Sequence, residues 1–307
     1  MRLLKKSAAF LIVVVMAASG GASTASASTT IDQLGSDIDG EAAGDSSGAN
    51  VVLSADGTIV AISASQNDGS GSDAGHVRLF EWDGAAWVQK GGDIDGEAAD
   101  DWSGNSVSLS ADGSIVAIGA ILNDGANGND SGHVRVYEWD GTAWTQKGSD
   151  IDGEAADDYS GRSVSLSADG NIIATGASGN DGNGDSSGHV RLFEWDGATS
   201  TWVQKGGDID GEAADDYSGH SVSLSDDGSI VAIGAIFNGT ETSGHVRVYE
   251  WDGTAWTQKG SDIDGEAADD WSGWSPTLSA DGSIVAIGAV FNDGINGENS
   301  GHVRLYE

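Results

Sequence analysis

Residues 104–160 read GNSVSLSADGSIVAIGAILNDGANGNDSGHVRVYEWDGTAWTQKGSDIDGEAADDYS, and four strand signals lie inside them. Ser106–Ser110 (SVSLS) alternates apolar and polar residues, and Ala111–Gly113 (ADG) is a tight turn. Ser114–Ala120 (SIVAIGA) is β-branched and almost wholly apolar, the pattern of a strand covered on both faces. A polar loop follows, then His133–Trp139 (HVRVYEW), a DG hairpin turn at Asp140–Gly141, and Ala143–Gly148 (AWTQKG) as the fourth strand.

The unit recurs. With the first aspartate of DID as marker, the copies begin at Asp37, Asp93, Asp150, Asp208 and Asp262, spaced by 56, 57, 58 and 54 residues. Four antiparallel strands at such a period predict the blades of an all-β propeller. A two-sheet sandwich is the rival, but it gives no reason for the period. Residues 31–35 (IDQLG) match the fourth strand WTQKG, and the chain stops at GHVRLYE (Gly301–Glu307), a third strand without its fourth. The N-terminal strand is therefore expected to complete the last of five blades and close a ring, which removes free sheet edges.

The chain has 307 residues and a net charge of −36, with one proline and no cysteine. Residues 1–27 read as an export signal: Arg2, Lys5 and Lys6 precede an apolar run from Ala8 to Ala18, and Ala25-Ser26-Ala27 is a cleavage site of small residues. Residues 28–307 would form the propeller, with 10 basic and 49 acidic groups and a net charge of −39. That field repels nucleic acid and anionic membrane surfaces and attracts cations. No later apolar run is long enough to insert in a bilayer. The expected product is a secreted or cell-surface monomer whose partner is an extracellular protein or glycan.

The stretch DDWSGNSVSLSADGSIVAIGAILNDGANGNDSGHVRVYEW (residues 100–139) resembles the FG-GAP repeat, the blade unit of integrin α-chain propellers and of many secreted bacterial proteins. Trp102–Val107 is similar to its aromatic-Gly start, Val116–Ala120 to its Gly-Ala part and Gly132–Trp139 to its closing strand. The resemblance covers all five copies and implies the fold; adhesion, ligand binding and enzyme scaffolding all occur on it. In calcium-binding members the ion sits in the hairpin between the first two strands. Here that hairpin is SADGS or SDDGS, too short to wrap an ion, so those ligands do not carry over.

The acidic crossover between blades offers other ligands. Counting the first aspartate as 1, acids stand at 1, 3, 5 and 9: Asp37, Asp39, Glu41 and Asp45; Asp93, Asp95, Glu97 and Asp101; Asp150, Asp152, Glu154 and Asp158; Asp208, Asp210, Glu212 and Asp216; Asp262, Asp264, Glu266 and Asp270. Oxygens at odd positions are how a short loop wraps Ca²⁺, and carboxylates suit that hard ion. The glycine stands at 4 rather than at the 6 such loops use. A solvated acidic turn is the other reading of the same residues.

Tryptophans flank the DG turn as pairs (Trp82/Trp87, Trp139/Trp144, Trp195/Trp202, Trp251/Trp256), which reads as packing between blades. His76, His133, His189, His245 and His302 each precede Val-Arg, and that identity reads as structural. Places where near-identical copies disagree are more telling. After Ser-Gly stand Ala49, Asn105, Arg162, His220 and Trp274; two positions before that glycine stand Ser46, Trp102, Tyr159, Tyr217 and Trp271. Both sets lie where the crossover enters the innermost strand, near the mouth of a central channel. Trp102, Tyr159, Arg162, Tyr217, His220, Trp271 and Trp274 are the candidate ligand-binding residues. The reading is a non-catalytic binding or adhesion propeller, possible Ca²⁺ dependence included; the alternatives are a polysaccharide-active hydrolase or lyase, or a structural matrix protein. No Ser-His-Asp or HExxH arrangement is present.

Overall fold

In the computed structural model, which describes residues 32–239 and 242–307, apolar and polar residues alternate into strands and no helix forms. The export signal lies outside the described residues. Gly35–Glu307 is one unit, and the residues before it are a separate one.

Five antiparallel sheets succeed one another in chain order as the blades of a β-propeller. In the second blade the strands are Ser103–Leu109, Ile115–Ala120, His133–Trp139 and Trp144–Gln146, each hydrogen-bonded to the next. A short fifth strand, Ile151–Asp152, pairs with the start of the third strand, with Ile151 opposite Val134 and Asp152 opposite His133. The first half of the DIDGEAADD crossover is thus sheet. Its isoleucine recurs because it is core: Ile94, Ile151 and Ile209 are all buried.

The core lies between blades. Ile59, Ala61, Val77, Leu79 and Ile94 of the first blade pack against Val107, Leu109, Val116 and Ile118 of the second. Ile115, Ala117, Val134 and Val136 of the second face Val164, Leu166 and Ile173 of the third, and the pattern continues. The second strand presents alternate residues to both neighbours, so nearly every position in it is apolar. The paired tryptophans seal the rim as the spacing predicts. Their rings lie 5.3 Å apart in Trp139/Trp144, and Trp144 Nε1 donates to the Lys90 carbonyl of the preceding blade at 2.7 Å.

The two ends of the blades differ. At one end the short hairpins join into a hydrogen-bonded relay: Ala55 N–H donates to the Ala111 carbonyl, Ala111 to Ala168, Ala168 to Asp226 and Asp226 to Ala280, each at 2.8 Å. At the other end each crossover lies along the long loop between second and third strands. Asp100 N–H donates to Ser72 O at 2.7 Å and Ser103 N–H to Ala74 O at 2.9 Å.

The ring closure expected from the sequence does not appear among the described residues. Ile31 lies outside them, residues 32–35 carry no strand, and the last sheet has three strands. Leu305 is 69% exposed, whereas Leu79, its equivalent in the first blade, is fully buried by the second. Closure requires the fifth sheet to meet the first. Val51 and Leu53 on the first blade are exposed as well, although Val60, Ile62 and Phe80 on the same blade are buried against Ile38 and Trp87.

Candidate functional site

The four acids of each crossover have different partners. Position 9 turns inward: Asp101 is 3% exposed, and its Oδ2 accepts from Ala98 N–H at 2.9 Å and Asn123 Nδ2 at 3.1 Å. Asp45, Asp158, Asp216 and Asp270 repeat this bond from the residue three before, with Asn67, Asn180, Asn238 and Asn292 as second donors. These carboxylates lock the loop. Position 3 supplies its carbonyl, not its side chain: Asp39, Asp95, Asp152, Asp210 and Asp264 accept from Arg78, Arg135, Arg191, Arg247 and Arg304. The crowding has a cost: burial first, and then Asp150, push the Asp152 carboxyl up, and Asp210 behaves likewise beside Asp208.

Positions 1 and 5 meet across copies. Asp93 accepts from Gln89 Nε2 at 2.6 Å and comes together with Glu41 of the preceding crossover and His76. Glu97, His133 and Asp150 form the second such group, Glu154, His189 and Asp208 the third, Glu212, His245 and Asp262 the fourth. Four blades therefore carry carboxylate-histidine groups that can hold a metal ion. Burial, followed by the adjacent arginine, holds His133 and His189 down to about 4.

Glycine at position 4 has a steric reason. A Cβ on Gly96 would strike the Ala74 carbonyl, and on Gly153 the Ser131 carbonyl, where the crossover passes against the long loop. The hairpin aspartates are engaged within their own turns. Asp281 accepts from Ser283 Oγ, Ser283 N–H and Ser279 Oγ, bonds that hold its carboxyl down to about 2.

All seven candidate ligand-binding residues, out of the ten in which the copies disagree where the crossover enters the innermost strand, line one cavity. It has a volume of about 490 Å³, spans the second to fifth blades and is walled by Trp102, Tyr159, Arg162, Tyr217, His220, Trp271 and Trp274. Trp102, Tyr159, Tyr217 and Trp271 stand in the left-handed backbone region, with φ between 52° and 56°. Side chains other than glycine pay for that conformation, and the surrounding hydrogen bonds enforce it. Tyr159 N–H donates to Asp130 O and Arg162 N–H to Tyr159 O, both at 3.1 Å. The result aims each aromatic ring inward.

Sequence reasoning missed Ile121, Leu122, Ser178, Ile236 and Phe237, which complete the wall. A signal existed. Gln66, Leu122, Gly179, Phe237 and Phe291 also disagree between copies, at the joint between second strand and loop. Phe237 is packed edge-on by Tyr217 at 5.1 Å and by Trp271 at 4.9 Å, and Trp271 stacks on Trp274 at 5.7 Å. Asn105, Ala49 and Ser46 do not line the cavity. Its polar feature is Arg162, whose Nη2 donates to His220 Nε2 at 3.0 Å. No carboxylate lies within ion-pair distance of Arg162 among the described residues. Burial lowers its pKa, and burial followed by Arg162 holds His220 down to about 4.

No family model matches the chain, and no curated protein does. Among solved structures it is similar to Kuenenia stuttgartiensis hydrazine synthase, with 13% identity and a TM-score of 0.49, over 78% of this chain and 54% of that one. The chain thus spans about half the length of that structure.

Proposed function

We propose that the chain is a secreted, non-catalytic binding propeller of the FG-GAP kind, with its ligand seated in the aromatic cavity. The observation that carries this reading is convergence. The blades are near copies, yet seven of the ten residues in which they differ around the crossover's entry to the innermost strand meet at one place, and that place is apolar, concave and asymmetric. Aromatic faces suit the apolar faces of sugars or of an extended peptide. Arg162, a cation without a carboxylate partner among the described residues in a chain of net charge −36, suits an anionic group on the ligand. An extracellular glycan bearing a carboxylate or sulfate meets both demands.

A cation belongs to this reading as a brace for the crossovers. Ca²⁺ is the ion carboxylates alone would select; a nitrogen donor beside them shifts that selection.

The test is a glycan array probed with the exported protein, its Arg162→Ala and Trp274→Ala variants alongside. Binding restricted to acidic glycans and lost in both variants supports the reading. Binding of neutral and acidic glycans alike, unchanged in the variants, overturns it. Sequencing the N-terminus of the exported protein tests cleavage after Ala27.

A further inference from the structure

Each of the first four blades brings together a glutamate, a histidine and an aspartate that are far apart in sequence. In each group the three ligating atoms lie within 4.8 Å of one another. The glutamate is position 5 of one crossover, the histidine opens the third strand, and the aspartate is position 1 of the next crossover.

The histidine is the informative member. His76 and His245 are each 1% exposed, yet neither ring nitrogen of either has a hydrogen-bond partner. Burial without a partner is costly for a polar group. Their Nδ1 atoms nonetheless face a carboxylate, 3.8 Å from Glu41 Oε2 and 3.8 Å from Glu212 Oε2. His133 and His189 hold the same pose at 3.9 Å. That distance is too long for a hydrogen bond. It suits two donors that share an atom lying about 2.0–2.2 Å from each.

The other glutamate oxygen is taken. Glu41 Oε1 lies 3.6 Å from Arg78 Nη1, while Arg78 Nη2 donates to the Asp39 carbonyl at 2.7 Å. Arg135 and Arg191 hold Glu97 and Glu154 at the same 3.6 Å. The guanidinium thus fixes each carboxylate with Oε2 turned toward the histidine, the way outer partners orient metal ligands.

We infer that these four groups are divalent-metal sites, each with one imidazole nitrogen and two carboxylate oxygens, that prefer a borderline ion of the Zn²⁺ class to Ca²⁺. Ca²⁺ takes six to eight oxygens in a loose cage, whereas imidazole favours zinc and its neighbours. Three protein donors leave a fourth, solvent-facing position, and the glutamate is exposed on that side. An ion there ties the crossover entering a blade to the one leaving it. The fifth pair, Glu266 and His302, lies 3.5 Å apart but gains no third group among the described residues.

The experiment uses the full exported chain, stripped with chelator. Zn²⁺ and Ca²⁺ are titrated by calorimetry, and Co²⁺ is titrated with its visible absorption as a report of nitrogen ligation. The expected result is saturable uptake of about four Zn²⁺ per chain, Co²⁺ bands that Zn²⁺ removes and equimolar Ca²⁺ does not, and a higher melting temperature. Glu41→Gln should lower the stoichiometry by one and leave the circular dichroism unchanged; changing Glu41, Glu97, Glu154 and Glu212 together should abolish uptake. Non-saturable heat, Co²⁺ spectra without ligand bands, displacement by equimolar Ca²⁺, or full stoichiometry in the quadruple variant would overturn the inference.

Discussion

The Arg162 guanidinium donates to His220 Nε2 at 3.0 Å, from the innermost strand of one blade to that of the next. Arginine has no acceptor, so His220 must present a lone pair at Nε2 and carry its proton on Nδ1. A protonated ring could not accept this bond. The pair therefore selects neutral histidine, and burial adds to that selection.

A pH dependence follows. The His220 folded-state value, about 4, lies below the ordinary 6.5, so the unfolded chain binds its proton more readily. Stability from this residue is complete above pH 6.5 and is lost as pH falls from there toward 4. Melting temperature measured across that interval should fall less steeply for His220→Asn than for the unaltered chain. Parallel curves would show that the ring carries no such linkage.

Asp101 should behave as a loop lock. Asp101→Ala leaves the Ala98 amide and the Asn123 side chain without an acceptor and should cost about 2 kcal/mol. Asp101→Asn, which can still present an oxygen to both donors, should cost less than half of that. Chemical denaturation of the two variants separates this role from direct ligation, for which loss of charge alone would suffice.

Gly153→Ala probes the close pass between crossover and long loop. Its Cβ would collide with the Ser131 carbonyl, so backbone must move, at a cost of about 1–3 kcal/mol. Gly92→Ala, with open space around the new carbon, is the control and should change the melt little.

Leu79 and Leu305 occupy the same place in the third strand of the first and last blades, opposite Ala61 and Ala286. Leu79→Ala opens a cavity in a buried interface and should cost about 2–5 kcal/mol. Leu305→Ala, at an exposed face, should cost under about 0.5 kcal/mol. Equal losses in the two denaturation curves would mean that the fifth blade is covered after all.

The blades were legible because strand alternation is local: Val107 and Leu109 face one neighbour, and Ile115–Ala120 is apolar throughout for want of a solvent face. The cavity was legible because duplication supplies its own control, and Arg162, His220 and Trp274 stand out against copied surroundings. The acidic crossover was legible in part: its positions 1 and 5 do fall in groups that can hold a metal ion. Spacing alone cannot tell that Asp101 faces inward or that Asp95 contributes its carbonyl, since both depend on the loop beside them. Ile94–Asp95 is too short to read as a strand. The meeting of Glu41, His76 and Asp93 joins segments that only the folded blade brings together.

Since each sheet leans only on the ones before and after it, the blades form a one-dimensional series of coupled units. The second, third and fourth have two neighbouring blades while the first and fifth have one, so local opening should begin at the two end blades and reach the third last. The aromatic cavity runs across that gradient, with Trp102 and Tyr159 in the firmly held part and Trp271 and Trp274 in the loosely held end. A molecule lodged there clamps the fraying blade to the middle of the series. Part of its binding free energy is then spent on keeping that blade docked, and mutations in the last interface, far from any ligand contact, would weaken its affinity.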